Sequence, residues 1–324
     1  MLARLRPHPH RGDTVAAGVV VLTLFAVVLD GRFSSAWADG VRFVVMALIA
    51  AVVIAMAAQS ELVDERPRPY QSVLQVAGFV LLLVALSELA RVFGANGLGS
   101  AGTVVWVGTL LALFSLWFAT RRNSAIMTLI GAATGVVVAN AFVDWVFHPH
   151  GLTTFRWILL LCALGLTLAA VSQRDIRRRH AVSLVDVVGL TVLALGLTVL
   201  AQQALAVVAG IFGRHPPFTG GPAGWELVLL AFGFGLIAYG CVDRERVPAF
   251  LGVLVLTEFV IEAGQPGRHG ASLIGWPIVL AIIAGILLVI GLRPRQELPP
   301  EPPVAPSPPP PPDPPTAPTI VAEP

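Results

Sequence analysis

Two acidic residues, Glu258 and Glu262, stand in the apolar stretch "VLTEFVIEAG" at positions 255–264. They are four residues apart, so in a helix they share one face. An acid in hydrocarbon costs about 2.5 kcal/mol or more at mid-depth, and such residues usually face a bundle interior or a wet cavity. Two like charges this close repel, so we expect the pair to titrate as one unit. This chemistry is that of a proton or cation site.

The depth of Glu258 supports this interpretation. Pro248 suits the first turn of a helix and marks the start of the segment. Ten residues further on, at about 1.5 Å each, Glu258 lies about 15 Å in, near the midplane, and Glu262 lies nearer the boundary. A structural alternative remains open, in which a protonated Glu258 donates a hydrogen bond to a neighbouring helix through Gln202 or Gln203.

Other polar residues lie in the outer halves of the predicted helices that, like that of Glu258, run from the inside to the outside. Three of them have structural explanations. Asp30 ends its helix and reaches the headgroups. Glu88 has Arg91 three residues on, on the same helix face. Asp144 can meet Arg156 across its hairpin. The complete set of candidate proton, cation or substrate residues is Glu258, Glu262, Gln202, Gln203, Asp144 and Glu88.

Motifs for catalysis are missing from the sequence. There is no Walker loop, no GxSxG elbow, no HExxH and no CxxC. The tripeptide "HPH" occurs at 8–10 and 148–150, but the predicted topology places the two copies on opposite sides of the membrane, so they cannot share a metal. We therefore predict no metal, no cofactor and no catalytic residue. Cys162 and Cys241 lie within or near apolar spans, which does not favour a structural disulfide.

Composition determines the class of protein. The chain has 324 residues, of which 56% are hydrophobic and 12% charged, whereas a soluble domain carries about 25% charged residues. The apolar residues form blocks of roughly 17–25, the length that crosses about 30 Å of hydrocarbon as a helix. Helices satisfy their own backbone in lipid, so the sequence predicts an all-α polytopic membrane protein. The net charge of +2 does not suggest a nucleic-acid partner.

The apolar blocks divide the chain into a short N-terminal segment at 1–13, a transmembrane domain at 14–292 and a tail at 293–324. The connecting loops alternate in charge, and one set of loops holds 15 of the 21 arginines. Basic residues stay cytoplasmic, so both termini are predicted to be inside. The ten predicted spans are residues 14–30, 41–58, 71–93, 102–119, 125–147, 155–172, 184–211, 224–242, 248–263 and 273–292.

The first span has an alternative interpretation. A basic start, an apolar core and the small-x-small sequence "AWA" at 36–38 also fit a cleaved signal peptide. Cleavage would leave nine spans in the same orientation.

The inward-running helices repeat a pattern, because each opens near an aromatic residue and closes on an arginine-containing loop. Tryptophan suits the headgroup boundary, where one edge of the ring is apolar and the other wet. The pattern predicts five helical hairpins in series, although any outer helix end favours tryptophan. The recurring residues are Trp106, Trp157, Trp225 and Trp276.

Partners are suggested by two features. Residues 299–324 contain 14 prolines, which predicts a disordered, polyproline-type cytoplasmic tail. Its P-x-x-P spacings could be read by SH3-type grooves, or the tail could simply be solvated without a partner. Gly131 and Gly135 in "GAATG" permit close helix approach, either inside the bundle or in a homo-oligomer.

Ten spans with both ends inside are similar in outline to drug/metabolite-type transporters. Serial hairpins differ from the inverted five-plus-five repeat of that family, and no residue motif matches, so no functional residue is carried over. Composition and the proline tail resemble those of an actinobacterial plasma-membrane protein.

Three functions stay open at this point. The first is a transporter of a small solute, an ion or a lipid-like molecule, and the second is a non-catalytic scaffold for envelope machinery. The third is a membrane-embedded transferase, which would need an outer carboxylate such as Asp30 or Asp39.

Overall fold

The computed structural model describes residues 12–32, 36–60, 67–149, 151–211, 224–263 and 282, and no side chains at 203–211 or 263. In this part the chain is all helical, with nine α-helices, one short 3-10 turn at Gly97–Gly99 and no strand. The helices are α1 (Gly12–Arg32), α2 (Asp39–Gln59), α3 (Pro69–Val92), α4 (Ala101–Arg121), α5 (Ala125–Phe147), α6 (Thr153–Gln173), α7 (Arg178–Ile211), α8 (Gly224–Asp243) and α9 (Arg246–Ala263).

The helices match the predicted apolar blocks closely. Eight of the described helices, α1 to α8, are long and apolar enough to cross a membrane. The exception is α9, whose 18 residues include both Glu258 and Glu262. The tenth predicted span at 273–292, the proline tail and the N-terminal 1–11 lie outside the described residues, apart from a helical position at 282. The chain divides into two compact units, Met1–Arg268 and His269–Pro324, and all nine helices belong to the first.

Local sequence explains where several helices begin and end. Pro69 opens α3 at a position where its missing N–H costs nothing. The hydroxyl of Ser100 caps α4 by accepting from the Thr103 N–H at 3.3 Å. Asn123 and Arg244 have positive φ values of 50° and 58°, which lets tight turns join α4 to α5 and α8 to α9. Both turns lie at what we call the Arg-rich end of the bundle, where Arg121, Arg122, Arg174, Arg178 and Arg244 collect.

Tight pairing occurs between helices that are joined at the Arg-rich end. The most extensive contacts are those of α2 with α3, α4 with α5, α6 with α7, and α8 with α9. Helix α1 packs against α3 and barely touches α2. The predicted series of hairpins starts with the first and second spans. That pairing is wrong, because the closely packed pairs start with α2 and α3.

The packing pattern repeats after four helices. Helix α1 packs on α3 as α5 packs on α7, and the tight pairs α2–α3 and α4–α5 correspond to α6–α7 and α8–α9. Helices α3 and α7 take the central position in their respective halves, and 50% and 56% of their apolar windows are buried. The two halves differ in one contact, because α7 packs extensively on α9, whereas α3 barely touches α5.

Glycines set the position of α9 and of α5. A Cβ placed on Gly252 of α9 would lie 2.7 Å from the carbonyl oxygen of Gly233 on α8, so the two backbones touch. Gly131 of α5 is used in the same way inside the bundle, since its Cβ would lie 3.0 Å from the Cβ of Ser115 on α4. Gly135 faces open space.

Candidate functional site

Glu258 of α9 is buried at the contact between three helices. Glu258 is only 7% exposed. Its carboxylate lies against Gly196 of α7, where any Cβ would collide with the carboxylate. Leu229 of α8 closes the other side, with its Cδ2 3.3 Å from the same Cβ position. Gly196 therefore creates the space in which the carboxylate fits. Among the described residues, Oε2 of Glu258 has no hydrogen-bond partner.

Glu262 lies one turn further along α9 and is also buried, at 1% exposure. Its charge acts on the guanidinium of Arg156 near the start of α6. Arg156 is 3% exposed and donates from Nη2 to Gln202 Oε1 at 2.6 Å and to the Thr198 carbonyl at 3.0 Å, and from Nε to Thr198 Oγ1 at 3.2 Å. Arg156 therefore anchors α6 to α7, and the charge of Glu262 on α9 acts on this buried cation.

The structural alternative for Glu258 is a hydrogen bond through Gln202 or Gln203. Gln202 accepts from Arg156 through its Oε1, and the described residues contain no hydrogen bond between Gln202 and the Oε2 of Glu258. The side chain of Gln203 lies outside the described side chains. The group whose charge acts on Glu258 is Glu262, a carboxylate of the same sign.

A second buried cluster occupies the first half of the chain. Glu88 of α3, 0% exposed, accepts from Arg91 Nη1 at 2.6 Å and forms an ion pair with Arg42 Nη1 at 3.1 Å. The predicted pairing of Glu88 with Arg91 is confirmed, and Arg42 of α2 is an addition that sequence reasoning missed. Asp30 does not simply reach the headgroups, because it accepts from Arg42 Nη2 at 2.9 Å.

The two clusters have the same spacing along the chain. Asp30 precedes Arg42 by 12 residues and Asp144 precedes Arg156 by 12, while Glu88 and Gln202 each follow their arginine by 46. This agrees with the four-helix repeat. The spacing is the signal from which the partners of both arginines could have been predicted.

The second copy differs at the acceptors. Asp144 is exposed, and the prediction that it pairs with Arg156 is wrong. Arg156 instead donates from Nε to the hydroxyl of Thr198, which lies four residues before Gln202 on α7. The corresponding residue of the first half is Val84, whose side chain has no hydrogen-bond acceptor. Arg42 therefore donates from Nε to Asp30 instead.

A polar network joins the helices at the Arg-rich end, and sequence reasoning also missed it. The side chain of Gln75 accepts from the Ser124 hydroxyl at 2.5 Å. His180 contacts the Thr128 hydroxyl at 2.5 Å and Asn123 Oδ1 at 2.8 Å. These contacts tie α3, α5 and α7 together and are structural, because every group in them is satisfied by another side chain.

No group of three or more His, Cys, Asp or Glu side chains that could hold a metal occurs in the described part of the chain. His148 is exposed, and residues 8–10 and 150 are outside that part. Cys162 and Cys241 are both free thiols.

Comparison with known proteins adds no relationship, since no protein-family model and no curated protein matches this chain.

Proposed function

We propose that this protein is a multi-pass transporter of the bacterial cell membrane that moves a small solute or ion. In this proposal all of the predicted spans, α9 included, cross the bilayer with the Arg-rich end in the cytoplasm. Glu258 takes up one proton or one monovalent cation in each cycle. The observation that carries the proposal is the buried Oε2 of Glu258, which has no hydrogen-bond partner among the described residues.

An ionised carboxylate without a partner is expensive inside a helix bundle, because it has lost its water and gained nothing in exchange. Binding a proton or a cation removes that cost. Glu88 shows how the same fold neutralises a buried glutamate permanently, with an arginine on each of its two oxygens. Glu258 has no such ion pair among the described residues, which supports an exchangeable positive charge in place of a fixed one.

The neighbours of Glu258 suit a stepwise passage of that charge. Glu262 is one turn closer to the end of α9, so it offers a second carboxylate between Glu258 and the end opposite the Arg-rich one. Arg156 holds that second carboxylate electrostatically and is itself anchored to α7. Glu262 would thus be the next carboxylate to receive a proton or cation from Glu258, beside a fixed positive charge.

The α7–α9 contact is the place where solvent access would open. Glu258 rests on Gly196, and Leu251, about two turns earlier, rests on Gly189, where a Cβ would lie 2.8 Å from the Leu251 Cδ1. Both contacts are made by an α9 side chain on a bare α7 backbone. A small separation of the two helices would therefore expose the carboxylate, as alternating access requires.

The test is ion movement in proteoliposomes that contain trapped dyes sensitive to pH, to sodium and to potassium. They are exposed in turn to a pH gradient, a sodium gradient and a potassium diffusion potential. Wild type should move protons or a monovalent cation in at least one condition, and Glu258→Gln should abolish the movement while the protein remains folded. The matched control is Asp39→Asn, which removes a half-exposed acid at the end of the bundle opposite the Arg-rich one. Equal movement by wild type and Glu258→Gln would refute the proposal.

The alternatives receive less support from the described residues. A transferase would need Asp30 or Asp39 as a free carboxylate, but both contact Arg42, at 2.9 and 3.4 Å. A scaffold function would be favoured if wild type moved no ion under any of the three gradients.

A further inference from the structure

A groove lies in the second half of the bundle, between α6, α7 and α8. It has a volume of about 380 Å³, within the roughly 300–1,000 Å³ of small-molecule sites. Each of three helices contributes one face to it. The lining residues are Thr167, Ala170, Val171 and Arg174 near the end of α6, Val185 and Val188 of α7, and Ala231, Phe232, Gly235, Leu236 and Tyr239 of α8.

The interior of the groove is almost entirely apolar, and the one polar lining residue of α6 besides Arg174 is already satisfied. The Thr167 hydroxyl donates to the Ala163 carbonyl of its own helix at 2.8 Å. Gly235 leaves a gap in the wall, since a Cβ placed there would meet nothing within 4 Å. Tyr239 of α8 adds one polar atom near the Arg-rich end, a buried hydroxyl without a hydrogen-bond partner among the described residues. The rest of the groove suits a flexible hydrocarbon chain.

The mouth of the groove lies at the Arg-rich end and is positively charged. Arg174 Nη2 donates to Asp243 Oδ1 at 2.9 Å, and Arg178 Nη2 donates to the Asp243 carbonyl at 2.8 Å. Two half-exposed guanidinium groups therefore share one carboxylate and keep further N–H donors for a ligand. The hydrogen bond to Asp243 raises the pKa of Arg174, so that this cation remains charged.

The surrounding turn adds to the excess of positive charge. Residues 174–179 read "RDIRRR", in which four arginines face a single aspartate. All six positions are exposed. With Asp243 included, four arginines are only partly balanced by two aspartates, so an anionic group at the mouth would be attracted by a net positive charge, whereas a neutral group would not.

We propose that this groove binds an anionic phospholipid of the adjacent leaflet, with one acyl chain between α6, α7 and α8 and the phosphate at Arg174 and Arg178. The proposal does not rest on transport. An apolar groove that opens among membrane-spanning helices faces acyl chains, and basic pockets between such helices at the cytoplasmic side are suited to phospholipid headgroups. Charge complementarity at the mouth selects an anionic headgroup over a zwitterionic one.

The chain offers a matched pair of substitutions for testing the acyl-chain part. Gly235→Leu adds a side chain to the wall of the groove at a position where the Cβ meets nothing within 4 Å. Gly165→Leu makes the same change on α6, also at a position with nothing within 4 Å, but away from the groove lining. Both variants should fold, and only Gly235→Leu should displace the lipid.

A second pair tests the headgroup part. Arg174→Gln combined with Arg178→Gln removes both guanidinium groups from the mouth. Each should weaken binding of the anionic lipid about fivefold, the effect of one basic residue near an anionic surface. Arg121→Gln is the control, because Arg121 is exposed at the same end of the bundle on α4 and does not line the groove.

The measurement is native mass spectrometry of lipid retained by the full-length protein after it is purified from bilayers of phosphatidylglycerol or of phosphatidylcholine. Wild type should retain phosphatidylglycerol preferentially, and retention should fall in Gly235→Leu and in the double arginine variant while both controls match wild type. Equal retention of the two lipids would overturn the headgroup assignment. Equal loss in Gly235→Leu and Gly165→Leu, or no retained lipid in wild type, would overturn the site itself.

Discussion

The contact between Gly196 and the Glu258 carboxylate predicts how a substitution at Gly196 changes the stability of the protein. In Gly196→Ala, the new Cβ would lie 2.8 Å from the Glu258 carboxyl carbon and 3.3 Å from Leu229 Cδ2. Carbon atoms pack best at about 3.5–4.0 Å. The α7 backbone cannot move without disturbing its packing on α6 and α9, so the Glu258 carboxylate must move away from position 196.

Two opposing effects determine the size of the change. Overpacking a buried position costs about 1–3 kcal/mol, while alanine is better than glycine in a helix by about 1 kcal/mol. Gly196→Ala should therefore change the free energy of unfolding by between about zero and 2 kcal/mol in the destabilising direction. Gly165→Ala, which has open space around its Cβ, should show only the propensity gain of about 1 kcal/mol.

A double-mutant cycle isolates the contact from the propensity effect. In a Glu258→Ala background there is no carboxylate to displace, so Gly196→Ala should behave like Gly165→Ala. The coupling free energy between positions 196 and 258 should then be about 1–3 kcal/mol. Unfolding in mixed detergent micelles, followed by tryptophan fluorescence and circular dichroism, measures all of the variants. A coupling free energy near zero would refute the placement of the Glu258 carboxylate on Gly196.

The remaining predictions address charge and orientation. Infrared difference spectra between acidic and alkaline buffer should contain a carboxyl band that disappears in Glu258→Gln, and a band that persists unchanged would contradict the proposed site. Arg42→Gln should lower the free energy of unfolding by about 3 kcal/mol, the lower end of the range for breaking a buried ion pair, because Glu88 keeps its second arginine; a loss below about 1 kcal/mol in detergent unfolding would count against this. Cysteines introduced at 215–222 should react with a membrane-impermeant maleimide in whole cells and those at 174–180 should not, and the reverse pattern would invert the topology.

Helix positions were predictable because a bilayer-spanning helix needs a long uninterrupted apolar block. The fifth predicted span, 125–147, coincides with α5. Helix α7 begins six residues before its predicted span, and the other described helices differ from prediction by at most two residues at either end. The pairing of helices was not predictable in the same way. A helix in lipid gains nothing from hydrophobicity by choosing one neighbour over another, so hydropathy could not tell whether α2 packs on α1 or on α3.

The candidate site was predictable in its acids but not in its cation. Glu258 and Glu262 stood out because acids are costly in an apolar block. Arg156 did not, because an arginine near an outer helix end can as well lie in the headgroup region. Its burial results from the Thr198 and Gln202 acceptors on α7, which are far away in sequence and become neighbours only through the α6–α7 hairpin.

The two halves place the same kind of arginine at the same point and neutralise it differently. In the first half the central helix supplies the acid itself, and Glu88 is locked between Arg42 and Arg91. In the second half the corresponding residue is a neutral glutamine, and negative charge comes instead from the neighbouring helix α9.

This exchange has a mechanical consequence. An acid on the central helix cannot move relative to its hairpin partner without breaking the tightest packing in that half. The α7–α9 contact is less extensive than the α6–α7 or α8–α9 contact, so an acid on α9 can move relative to α7 and the Arg156 anchor while the α8–α9 pair stays intact. The first half is therefore suited to a fixed structural role, and the second half combines a fixed cation with a carboxylate, Glu258, that can change its exposure and its charge.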